Sequence, residues 1–346
     1  MNQEPSLEEW KKLYKTTLSL RGLEPWTYME ETDIFGVCDP ESGIIGFCCI
    51  IGSWKEALGL IVYRGKAGLE SYRKLRRGVS YNEMIDIQDC ISILFVNNYE
   101  LAQEDIEVMK SIVIDTKSPN IYPQFRDHIP FYIPWFLTQK EVSFLNSLLG
   151  EVINMCLRFK DKKTILKSPK KGQILVRMPV KNTDGIAWED SWIFPEDIQS
   201  EKDSVFIIDE IALRRIKKKC KTADIILEID SFYTTDLIVN DPDKNRPCIP
   251  LHLLIVDKES RFIFGNALSI PSRFYQDSFN SLTKSFETYS FIPREIHIKN
   301  PELLTILEPI KSYLAIPVRI VKDLKSFNFA KRALLKFLKK ESKAPF

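Results

Sequence analysis

Two acids and a run of cations in the second half of this 346-residue chain are the side chains best placed to do chemistry. Asp230 closes the apolar run Ile225-Ile226-Leu227-Glu228-Ile229, and Asp257 opens the polar turn Asp257-Lys258-Glu259-Ser260 between two further apolar runs. Aspartate is common in such turns because its carboxylate accepts from nearby backbone N–H groups, which is the plain reading of Asp257. The stretch Arg214-Arg215-Ile216-Lys217-Lys218-Lys219-Cys220-Lys221 carries six basic residues in eight. Cations at a helix C-terminus complement the dipole, and a cluster of this kind can also neutralise phosphates. Lys299 precedes Asn300-Pro301-Glu302, the pattern of a helix start, with Asn as N-cap, Pro at the first position and an acid in the first turn. Helix N-termini bind anions, and Lys299 would add charge, but without a glycine-rich loop simple capping is favoured.

Other chemistries find no support. His128, His252 and His297 are too dispersed for local metal-ligand spacing. His252 and His297 lie in apolar runs and could approach each other on neighbouring strands as packed core residues. The spacing of Gly43, Gly46, Gly52, Gly59 and Gly65 is not that of a phosphate loop. Cys48 and Cys49 have no basic activator nearby in sequence, and no nucleophile elbow or dinucleotide fingerprint occurs. No cofactor and no metal are expected.

Charge and composition narrow the partners. Lys plus Arg less Asp plus Glu is 49 − 47 = +2, so no global field draws the chain to nucleic acid, and any basic surface must be local. Seven cysteines, an odd number with no CxxC pair, read as buried reduced thiols. The first fifteen residues are charged and lack an apolar signal core, and no apolar run approaches the roughly 20 residues that span a bilayer. A cytoplasmic location and no membrane association are expected.

In chain order, residues 6–20 have helical spacing, and Ile34–Cys38, Ile44–Ile51 and Ala57–Tyr63 read as a three-stranded meander. A helix over Gly65–Arg77, a strand over Ile91–Val96 and a short helix over Glu104–Ile112 follow. The proline- and aromatic-rich stretch Ser118–Trp135 reads as an extended strap. Thr138 and Glu141 make a capping box that opens an amphipathic helix to about Phe159. Lys160–Gly172 is polar and basic, which sets two domains at 1–160 and 161–346. In the second, strands at Ile225–Asp230, Leu251–Val256 and Arg261–Leu268 precede a helix, a strand at Arg294–Ile298, a helix from Pro301 that Pro309 should kink or break, and a strand at Pro317–Val321. A Lys/Arg-rich helix, Phe327–Lys339, ends the chain. The fold class is therefore α/β: an α+β first domain with a meander sheet and helices, and a second domain with a mixed sheet whose core spans about 224–340.

Two resemblances bear on function. The words Ile34-Phe35-Gly36-Val37-x-Asp39-Pro40-x-x-Gly43-x-x-Gly46, Gly68-Leu69-Glu70-Ser71-Tyr72, Gln88-Asp89-Cys90 and Ile133-Pro134-Trp135-Phe136-Leu137 resemble a bacterial two-domain family of unknown function across nearly the whole chain. That resemblance implies no activity, cofactor or catalytic residue. The strand order of the second half resembles the ribonuclease-H-like fold of nucleases, transposases and integrases, whose carboxylates on adjacent strands hold two divalent metals. The resemblance puts Asp230 in the place of the first acid. At the tip of the fourth strand, where a second acid is expected, stand Lys299 and Asn300, and the last helix offers no Asp or Glu before Glu341.

The leading expectation is thus a non-enzymatic binding or interaction protein with a protein partner. The alternative is a nucleic-acid-binding or degenerate nuclease-like protein, with Asp230 and Asp257 as its candidate acids. Its contacts to phosphate would come from Arg214, Arg215, Lys217, Lys218, Lys219 and Lys299.

Overall fold

The computed structural model describes residues 4–52, 57–79, 84–113, 121–183, 185–199 and 206–341, with side chains followed to residue 337. The chain separates into two compact units, Met1–Asp203 and Ser204–Phe346.

In the first unit an apolar stripe decides the architecture. Helix α4 (Gln139–Asp161) opens on the capping box, with the Thr138 N–H donating to Glu141 Oε2 at 2.9 Å. It buries Val142, Leu145, Leu149, Val152 and Cys156, spaced three and four apart as one helical face requires. That face, with helix α1 (Leu7–Leu23), covers one side of a seven-stranded sheet. Its strands are β1 (Phe35–Cys38), β2 (Ile45–Ile51), β3 (Leu58–Arg64), β4 (Cys90–Asn97), β5 (Ile121–His128), β6 (Ile174–Asn182) and β7 (Gly185–Ile193), in the order β5-β4-β3-β2-β1-β6-β7. Helix α2 (Gly65–Arg76) packs on the other side through Leu69. Helix α3 (Gln103–Ser111) lies between β4 and β5 in sequence. At Gly59 an added Cβ would stand 2.1 Å from the Ile93 carbonyl oxygen, so β3 and β4 meet as they do only with glycine there.

Two expectations change here. The boundary at 160/161 assigns residues 174–193 to the second domain, yet β6 pairs in parallel with β1, Gly36 beside Val176, and β7 follows as the sheet edge. The polar Lys160–Gly172 is a connection within the first unit. Of the expected strap, residues 118–120 lie outside the described residues, and Ile121–His128 is the edge strand β5. Pro123 is tolerated because an edge strand has one side with no ladder bond to lose. All seven cysteines are unpaired and six are buried.

The second unit has a five-stranded sheet of β8 (Lys221–Tyr233), β11 (Leu251–Asp257), β12 (Ile263–Ser269), β13 (Phe291–Ile298) and β14 (Val318–Ile320), in the order β12-β11-β8-β13-β14. A separate ladder pairs β9 (Val239–Asp241) with β10 (Arg246–Cys248). The first three sheet strands are antiparallel, and β13 and β14 run parallel to β8. Side chains alternate along a strand, so β8 turns Leu227 and Ile229 to one face and Glu228, Asp230 and Phe232 to the other. The first face packs on helix α6 (Phe274–Tyr289), which in turn meets α5 (Glu210–Lys219) and α7 (Leu304–Leu314). Helix α7 continues through Pro309, which lies little more than a turn from its start and so costs few of its bonds.

Among the described residues, the second face carries one helix, α8 (Lys325–Glu341), through Phe232, Leu254, Val256, Leu324, Phe327 and Ala330. The residue before this helix is Leu324, which has no side-chain acceptor to cap it. Glu228 supplies one from the sheet. Its buried carboxylate accepts from the Phe327 N–H at 2.8 Å, and the Ser326 hydroxyl donates to the Lys258 carbonyl at 2.6 Å. A carboxylate facing a helix N-terminus is also favoured by the dipole.

Glu228→Ala should therefore loosen α8 by about 2 kcal/mol, the worth of a buried charge-assisted hydrogen bond. Hydrogen exchange of the amides in residues 327–337 should quicken in this variant, and less in Glu228→Gln, which keeps an acceptor oxygen. Unchanged exchange in Glu228→Ala would show that the helix does not depend on this bond.

Candidate functional site

The pairing of Ile229 with Ile298 sets the end of β13 beside β8, so Asp230 and Lys299, one residue further on, are neighbours. Both face α8, which adds Lys331. The three side chains line a cleft of about 340 Å³ with Ser231, Asn300, Leu324, Phe327 and Asn328. The Ser231 N–H donates to Asp230 Oδ1 at 2.9 Å and sets the carboxylate's direction. Burial pushes the Asp230 carboxyl above its ordinary range, opposed by the Ser231 N–H and the charges of Lys299 and Lys331. Burial likewise pushes the Lys331 ammonium down, opposed by Asp230 and reinforced by Lys299. Lys331 Nζ also sits 4.9 Å from the centre of the Phe232 ring, an added attraction for the charged form.

A second cleft, of about 610 Å³, follows the same helix and is lined by Arg261, Asp323, Lys325, Asn328, Phe329, Lys331 and Arg332. The two share Asn328 and Lys331 and so adjoin along α8, where together they make up the α8 trough. Arg261 reaches it from the β11–β12 hairpin, its guanidinium 4.5 Å from the centre of the Phe329 ring, which is 46% exposed. The Arg261 backbone is left-handed, with φ of 62°, at a turn position where glycine is the easier residue. That combination is a sequence signal: an arginine where a hairpin favours glycine, followed by a basic last helix.

The other expected residues stand elsewhere. Asp257 accepts from the Ser260 N–H at 3.1 Å and from its hydroxyl at 2.5 Å, so it holds the hairpin turn. Its partner on β8 is Leu227, whereas Asp230 lies beside Leu254. Three residues separate these rungs, about 10 Å, and the odd number puts the two acids on opposite faces. Arg214, Arg215, Lys217, Lys218 and Lys219 are on α5, which leads into the start of β8, and there Lys221 pairs with Phe291. Lys299 lies eight residues past Phe291, about 26 Å along the strand. The structure does not bring the two groups together. Arg214 faces Glu210 at 3.5 Å, Arg215 faces Glu287 at 2.9 Å, and Lys217 donates to the Tyr313 carbonyl at 3.2 Å. His252 stacks on Phe232 at 4.7 Å and His297 lies 3.3 Å from Glu295, with β8 between their strands, so the histidines are not neighbours. Among the described residues, no three of His, Cys, Asp and Glu stand close enough together to hold a metal ion. Among them too, no helix is long and apolar enough to cross a membrane.

Residues 10–177 match a family described as a domain of unknown function (DUF7309), and residues 212–335 match a second domain of unknown function (DUF6930). The pair fits a two-domain family of unknown function, as the sequence words imply. No curated protein matches the chain.

A carboxyl held above its ordinary range favours folding below its unfolded-state value, and that contribution is lost as pH rises through the folded-state value. Ionised Asp230 therefore burdens the folded chain at neutral pH. Asp230→Asn should melt at or above the temperature of the parent at pH 7, with the difference closing near pH 4, about where a free Asp titrates. Thermal unfolding at the two pH values checks this. A marked loss of stability at pH 7 would make Asp230 a structural anchor instead.

Proposed function

We propose that this chain, which joins two domains of unknown function, binds nucleic acid along the α8 trough of its second unit and does not cleave it. The observation that carries this reading is the trough itself. Arg261, Lys325, Lys331 and Arg332 line one cleft against the single acid Asp323, and Lys299 lines the adjoining one. A nucleic-acid backbone is recognised first by cations spaced along a groove, and exposed rings such as Phe329 offer a stacking surface for bases.

The strand arrangement supports the same reading. Numbered in chain order, the five strands run 3-2-1-4-5, with the first, fourth and fifth parallel, in keeping with the resemblance to ribonuclease-H-like nucleases, transposases and integrases. In that likeness Asp230 takes the place of the first metal-binding acid. Lys299 takes the place of the second and supplies a positive charge where a metal needs a negative ligand. The same substitution that works against a two-metal site favours a phosphate. The likeness of fold by itself decides no activity.

Labelled single- and double-stranded DNA and RNA, titrated at two salt concentrations with and without Mg²⁺, test the proposal. Binding should weaken as salt rises, and no cleavage should follow in Mg²⁺. Replacing Lys331 and Arg332 by Gln should each reduce the slope of log affinity against log salt by about 1. Replacing Lys217, Lys218 and Lys219 by Ala should leave the slope as it is. Absence of salt-dependent binding would overturn the reading and turn attention to a protein partner. Cleavage lost in Asp230→Asn would replace it with a nuclease.

A further inference from the structure

Asp230 is at odds with the trough around it. Phosphate oxygens only accept hydrogen bonds, and a carboxylate facing them repels. The other acids on this face have protein partners: Glu228 accepts from the Phe327 N–H, Glu295 is paired with Arg319 and His297, and Asp323 accepts from the Asn328 side chain at 2.9 Å. Asp230 takes only backbone partners, at Ser231 and Asn300, among the described residues, and its carboxylate lines the cleft with Lys299 on the strand side and Lys331 on the helix side. A ligand that suits this set carries a hydrogen-bond donor between two anionic groups.

One ribonucleotide within a strand has that order of groups. Its 2′-hydroxyl lies between its own 5′-phosphate and the next phosphate, and is the group that distinguishes RNA from DNA. We propose that the trough prefers RNA to DNA, with Lys299 and Lys331 holding successive phosphates and Asp230 accepting a hydrogen bond from the intervening 2′-hydroxyl. This rests on the nucleic-acid reading of the same trough. The Ser231 N–H, by donating to Oδ1, holds the carboxylate in place before any ligand arrives, so little ordering remains to be done on binding. A carboxylate that recognised a base amino group would instead show a preference for sequence, and none for sugar.

The full chain is titrated against three single strands of one sequence, made as RNA, DNA and 2′-O-methyl RNA, at one salt concentration. The methylated strand keeps an oxygen at the 2′ position but has no proton to donate. RNA should bind about tenfold more tightly than either of the others, the worth of one hydrogen bond to a charged acceptor. In Asp230→Asn and Asp230→Ala that ratio should fall toward one. Equal binding of the three strands by the parent protein would overturn the inference and leave the nucleic-acid reading standing. An RNA preference that survives in both variants would also overturn it, as would a methylated strand that binds like RNA. Binding of none of the three would remove the nucleic-acid reading itself.

Discussion

The carboxylate of Glu228 reaches from the middle strand of the second sheet to the first turn of the last helix, and the trough depends on that contact. Helix α8 is the one described helix on its face of the sheet, and its leading residue, Leu324, cannot cap it. A buried acid two residues before Asp230 on the same strand face meets the Phe327 N–H, so one strand both anchors the helix and presents the acid of the cleft. The helix cannot shift along the sheet without breaking a charge-assisted bond in a poorly solvated place, where an orphaned carboxylate is costly. Lys331 and Arg332 lie one to two turns beyond the anchor, and so inherit its position.

Once the helix is fixed, the chemistry of the face follows from which side of each strand its residues occupy. Alternation along β8 and β13 turns Glu228, Asp230, Glu295, His297 and Lys299 toward α8, and aliphatic residues toward the three helices opposite. Glu228 meets the Phe327 N–H, and Glu295 meets Arg319 and His297. Asp230 and Lys299 stand at the end of β13, where its parallel pairing with β8 sets an acid beside a lysine under a second lysine from the helix. Arg261 extends the positive rim from the hairpin, held over Phe329 by a backbone conformation that an arginine seldom adopts. A solvated lysine face on a helix has no such partners reaching in from another element.

How far the sequence discloses this varies with the range of the forces involved. The strands of the second half are legible because each is a short apolar run closed by turn residues, and the resemblance to the ribonuclease-H-like fold implies the places of Asp230 and Lys299 on neighbouring strands. The grouping of β6 and β7 with the first sheet is not legible. It depends on Gly36 meeting Val176 across some 140 residues, while the polar stretch before β6 registers only exposure to solvent. Pro123 misleads in a similar way, since a proline breaks a central strand but not an edge. The basic run at 214–219 stands out in sequence, yet Arg214, Arg215 and Lys217 meet Glu210, Glu287 and the Tyr313 carbonyl, partners that only folding supplies to the last two. The cations that line the trough are spread over the hairpin, a strand end and the last helix. Composition along a line cannot collect them.

Photo-crosslinking of a labelled strand and identification of the joined peptides would show where nucleic acid touches the chain. Crosslinks should fall in residues 257–262, 299–300 and 325–337, around Arg261, Lys299 and Phe329. Crosslinks confined to residues 210–221, or spread evenly over both units, would contradict the assignment of the α8 trough as the binding face.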